Sequence, residues 1–307
     1  MRSERSGEDG DRPSEGNADA QSGGAGEDLG APPTGHRSRI APVSAIARRE
    51  LRSTTRSTGG LLFAGGLAVA LVGVAYAGGG YRGSYLAVTA DLLTALEVLV
   101  PVVAVAFGYR TLLSDARSGE LDVLRTYPLA PWQHVGGAFL GRAIPLTAVV
   151  LAPFLVIAGL VSVSSTPQAT VFATHSTADS PVLFARLAVL SLFYALVALA
   201  IGVAISAVAT SARSGIALAV GAVVGIVLVS DLAIVGGLAA GALGGESIHG
   251  VLALSPASAF RGLVFETVIA VAGGAGPETA SPLASVAGLL GWLIGSLAIA
   301  VGALWWR

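Results

Sequence analysis

The sequence predicts an all-α polytopic membrane protein with six transmembrane helices, preceded by an amphipathic interfacial helix and a disordered N-terminal tail. Three observations predict this class. The 307 residues are 53% hydrophobic and 12% charged, with a mean hydropathy of +0.75. A soluble domain carries about 25% charged residues, so this chain lacks the polar surface needed to face water. Predominantly apolar runs of about 20 residues, enough for a helix to cross the hydrocarbon, recur six times from Gly59 onward.

In chain order, residues 1–39 read as a disordered cytoplasmic tail. They hold Leu29 as their sole large aliphatic, cannot bury enough apolar surface to offset ordering, and lack the apolar centre of a signal peptide. Residues 40–58 read as an amphipathic helix in the headgroup layer. Val43, Ile46, Ala47 and Leu51 share one face, and Arg48, Arg49, Arg52 and Arg56 lie on the others. Residues 59–307 read as the six-helix domain, with spans near Leu61–Gly80, Leu92–Leu113, Arg142–Val163, Leu183–Thr210, Gly215–Leu243 and Leu283–Trp306. Spans this long and continuous must be helices, because each has to satisfy its own backbone amides in lipid.

Arginine placement orients the chain. With a cytoplasmic N-terminus the inside holds Arg37, Arg39, Arg48, Arg49, Arg52, Arg56, Arg110, Arg117, Arg125, Arg142, Arg213 and Arg307, against Arg82, Arg186 and Arg261 outside. The prediction is a multi-pass plasma-membrane protein with both termini cytoplasmic. All 18 basic residues are Arg, so the chain has neither the Lys of a phosphate-binding Walker A loop nor an amine for Schiff-base chemistry. Absence of Cys excludes disulfides and thiolate chemistry. His36, His134, His175 and His249 lie outside the spans and far apart, so no metal site is predicted; nothing points to nucleic acid.

Two features read as functional. The loop from Ser114 to Gly137 is too long for a mere connector. Asp115 and Glu120 flank Arg117, Leu121 and Leu124 form an i, i+3 pair, and Pro128 and Pro131 stop the helix. This element reads as a docking surface for a soluble partner. Glu97 and Asp231 are acids within spans, expected in the outer third of the bilayer. They read equally as transport-pathway groups or as acids near the interface. Glu97 shares a face with Pro101, a position suited to a polar or kinked vestibule. Gly137/Gly141, Gly221/Gly225, Gly237/Gly241 and Gly291/Gly295 have the spacing of close helix approach and of dimerisation.

Together, Arg48-Arg49-Glu50-Leu51, the acid-x-x-x-Gly-x-Leu stretch from Asp115, the Pro128 turn and the Gly-x-x-x-Gly-Arg run ending at Arg142 resemble the ABC-2 type permeases of ABC transporters. In that family the loop commonly reads Glu-x-x-x-Gly-Thr-Leu, with a later Gly-Lys. Here Asp115 stands for the acid, Gly119 for the Gly, Glu120 for the Thr, Leu121 for the Leu and Arg142 for the Lys. The stretch from Leu252 to Arg261 is similar to an Asn-Pro-x-x-x-Phe-Arg segment of the subgroup serving nitrous-oxide reductase maturation, with Ser255 in place of the Asn. The resemblance implies a non-enzymatic, export-type permease subunit, paired with itself or a second permease. It would dock an ATP-binding subunit, holder of ATP and Mg, through Arg48, Arg49, Glu50, Asp115, Gly119, Glu120, Leu121, Leu124 and Pro128. The alternatives are an ion-coupled secondary transporter or channel using Glu97 and Asp231, and a structural membrane anchor.

Overall fold

Prolines and serines at the starts of the apolar runs, and large aliphatics every third or fourth residue within them, decide where each helix begins and which side it buries. The computed structural model describes residues 41–55, 58–82, 84–119, 130–164, 180–240, 253–273 and 281–306. The predicted tail lies outside them. Among the described residues every regular element is helical.

The helix α1 spans Ala41–Thr55, α2 Thr58–Gly78, α3 Tyr85–Gly108, α4 Thr111–Arg117, α5 Pro131–Ser164 and α6 Pro181–Val208. Next come α7, Ala212–Val224, a π-helical segment Gly225–Val229 and α8, Ser230–Ala239. After them α9, Pro256–Val264, runs through a second π segment, Phe265–Ile269, into α10, Ala270–Gly273, and α11 spans Pro282–Trp306. Five helices are long and apolar enough to cross a membrane: Gly59–Gly78, Tyr85–Arg117, Pro131–Ser164, Pro181–Val208 and Pro282–Trp306. The fifth expected span corresponds to the consecutive segments from α7 to α8.

The most enclosed helix is α6; α2 and α11 are the least. Its contact with α3 is the most extensive in the molecule. On α3 the buried side is Val88, Leu92, Leu96, Val100, Val103 and Phe107, the spacing of one helical face. Where the two helices cross, a Cβ on Gly108 would stand 2.8 Å from the Leu199 carbonyl, and one on Gly202 2.9 Å from the Val105 carbonyl. Only glycine permits that approach.

The second span begins seven residues before the expected Leu92, because Ser84 caps α3 by accepting from the Ala87 N–H at 3.1 Å. Pro131 does not stop a helix but opens one, since a proline is tolerated in the first turn, where no carbonyl needs its N–H. As a result α5 reaches well beyond the apolar run that begins at Arg142, and its first turns are free to meet α1.

Candidate functional site

At the end of the bundle where α3 finishes and α5 begins, α1 lies against α5. The pair Gly137 and Gly141 makes the seat. A Cβ on Gly137 would fall 2.7 Å from Ile46 Cβ, and one on Gly141 2.8 Å from the Ala47 carbonyl. These two glycines therefore pack α1 within the chain, the close helix approach that their spacing predicts. The same side of α5 carries His134 and Arg142, at i−3 and i+5 from Gly137.

An ion-pair clamp closes over this seat. Arg142 Nε donates to Glu50 Oε2 at 2.9 Å, and Arg142 Nη1 donates to the Phe107 carbonyl at 3.0 Å, near the C-terminal end of α3. Cations are favoured at that end of a helix. Arg49 Nη2 donates to Glu50 Oε1 and to Asp115 Oδ2, both at 3.2 Å. His134 Nε2 lies 3.4 Å from Asp115 Oδ2 but outside hydrogen-bond geometry. Glu50, Asp115 and His134 are buried, whereas Arg49 is half-exposed. Two guanidiniums thus balance two carboxylates and join α1 to α3, α4 and α5. From α6, Ser206 Oγ completes the junction by accepting from the Leu112 and Leu113 N–H groups at 2.7 and 2.9 Å, at the start of α4.

Of the expected docking residues, the structure brings Arg49, Glu50 and Asp115 together and leaves Arg48 exposed on α1. Gly119 follows α4 with φ at +74°, a left-handed turn. Glu120, Leu121, Leu124 and Pro128 lie outside the described residues, as does the side chain of Asp231. Sequence reasoning missed His134, reading it as a loop residue. Its helical spacing to Gly137, Gly141 and Arg142 was the available signal.

A second polar group lies inside the bundle. Glu97 stands halfway along α3 and accepts from Nε and Nη2, one edge of the Arg261 guanidinium; the Nε contact is 3.2 Å. Arg261 belongs to α9, which packs against α3, α6 and α11. The neighbouring Pro101 has no N–H to give to the Glu97 carbonyl one turn back. The hydroxyl of fully buried Tyr194 donates to that carbonyl instead, at 3.2 Å. Tyr194 also stacks on Phe260 with ring centroids 4.7 Å apart.

The start of α9 is fixed by Ser255, whose side chain accepts from the Ser258 N–H at 3.2 Å. Serine and asparagine are both strong N-caps, so Ser255 keeps the capping chemistry of the segment it resembles. Trp292 Nε1 on α11 donates to the Leu254 carbonyl at 2.7 Å. Asp91, which sequence reasoning passed over, accepts from the Gly80 N–H at 3.1 Å and shapes the turn between α2 and α3.

A family model described as ABC-2 family transporter protein matches residues 19–306. The chain belongs to the ABC-2 transporter family. Among curated relatives, it is 30% identical over 271 residues to a probable ABC transporter permease protein NosY of Pseudomonas aeruginosa, covering 85% of this chain and 94% of that protein. The protein of the same name from Stutzerimonas stutzeri is 32% identical over 114 residues, 36% of this chain and 41% of its own length. In this ABC-2 protein, then, the glycine seat and the clamp fasten an amphipathic helix to the ends of α3 and α5, and the Glu97–Arg261 pair fastens α9 against α3.

Proposed function

We propose that this chain is the membrane half of an ATP-driven exporter in the plasma membrane, powered by a separate ATP-binding subunit that docks on α1 and the segment following α4. One observation carries the reading: the clamp ties α1 and α4 directly to α3 and α5. A push on either inner helix is thereby transmitted to spans rather than absorbed by a loose loop. Glu50 and Asp115 act as positioning residues beneath the docking surface. Exposed Arg48 and the stretch holding Glu120, Leu121, Leu124 and Pro128 meet the partner. Family membership and the names of the relatives support a permease role, and the absence of Lys supports a separate ATPase chain.

Two such permease chains, identical or related, would form the pathway, with six spans each and both termini cytoplasmic. The pairing of Glu97 with Arg261 favours a structural role for this acid over the ion-coupled alternative, because a guanidinium already covers the carboxylate. Co-purification tests the docking assignment. Triple alanine substitution of Glu120, Leu121 and Leu124 should release the ATP-binding subunit from a chain that still folds; undiminished binding would refute the assignment.

A further inference from the structure

The helix α6 carries one charged residue over its 28 positions, Arg186. Arg186 sits five residues after Pro181, about 8 Å along the axis from the helix start. It is exposed, and its Nη1 donates to the Thr267 carbonyl at 3.1 Å, in the π segment that follows α9. Beside it runs an apolar groove of about 470 Å³ lined by Val182, Ala185, Arg186, Val189, Leu190 and Thr267. Val182, Ala185, Arg186 and Val189 recur at i, i+3, i+4 and i+7, so one stripe of α6 forms a wall.

Such a groove on a membrane-spanning surface meets acyl chains. The guanidinium at its edge carries five N–H donors, of which one serves Thr267, so donors remain for phosphate oxygens. The positive end of α6, capped by Ser180, adds to the attraction for an anion. Among the described residues no carboxylate lines the groove to receive a choline or ethanolamine ammonium.

We propose that this groove holds a phospholipid with a net-negative headgroup, its phosphate on Arg186 and one acyl chain along Val182 to Val189. Bound there, the lipid braces α6 against the segment that also carries Arg261. The proposal does not depend on the ATP-driven reading.

The test uses the full chain with any copurifying subunits in detergent. Thermal unfolding and native mass spectrometry are followed as phosphatidylglycerol, phosphatidylcholine of the same chains, or chainless glycerophosphoglycerol is added. Phosphatidylglycerol should bind and stabilise most, and the chainless headgroup should do nothing. Arg186→Gln should weaken phosphatidylglycerol binding about fivefold and erase its advantage over phosphatidylcholine. Val189→Phe, which fills the groove and keeps the charge, should weaken both lipids. Arg82→Gln, elsewhere on the outer side, should change neither. Equal response to the two lipids, a phosphatidylglycerol advantage that survives Arg186→Gln, or a response to the chainless headgroup equal to that of the lipid would overturn the proposal. So would the absence of any lipid adduct, the result expected if a second copy covers the groove.

Discussion

Tyr194, Pro101 and Glu97 illustrate how single residues in this bundle compensate one another. Pro101 removes the donor for the Glu97 carbonyl, and the Tyr194 hydroxyl replaces it. Tyr194→Phe should therefore cost about 1–3 kcal/mol through a stranded buried carbonyl. In a Pro101→Ala background, where the helix regains its own N–H, the same change should cost much less. A double-mutant cycle on thermal unfolding measures the difference, and equal costs in both backgrounds would contradict the account. For the Glu97–Arg261 pair, Glu97→Leu removes the carboxylate that faces half-exposed Arg261 and should destabilise by about 1–3 kcal/mol. Exchanging the two charges should recover part of that loss. The acid at position 97 was legible as an oddity in a span. Its partner was not, because 164 residues separate them and Arg261 sits on a helix that periodicity alone cannot direct back into the bundle.

At the scale of elements, the seating of α1 is the feature with most consequence. Its amphipathic face was legible from Val43, Ile46, Ala47 and Leu51, and the small residues of α5 were legible as a close-packing motif. What joins them was not, since a glycine pair announces a close neighbour without naming it. Gly141→Leu should lift α1 from α5 by colliding with Ala47 and Glu50. Because the chain contains no Cys, a single cysteine introduced by Ala47→Cys can be labelled cleanly. Its labelling should rise several-fold in the Gly141→Leu background and stay low otherwise; unchanged labelling would show that α1 is held by something else. Arg142→Gln removes the tie from α1 to the end of α3 while leaving the glycine seat, so it should loosen α1 less than Gly141→Leu does. The length of α5 was misjudged for a related reason. Hydropathy marks where a helix becomes apolar, whereas Pro131 marks where it starts.

For the whole molecule, membrane class and family were legible from composition, six apolar runs and a handful of loop residues. The arrangement of the spans was not, because uniformly apolar helices look alike until their neighbours are known. α6 is the hub, with α3 locked onto it through Gly108 and Gly202, and the inner clamp collects α1, α3, α4 and α5 at one end. On the proposed docking reading, this end of the bundle is where external work enters. The most direct measurement is ATP hydrolysis by the chain purified from its native membranes together with its copurifying subunits. We expect vanadate-sensitive hydrolysis to accompany the wild-type chain and to fall away when Glu120, Leu121 and Leu124 are replaced by alanine, with the spans still folded. A wild-type chain that purifies free of any ATP-binding subunit, and moves solute in vesicles on an ion gradient alone, would contradict the account.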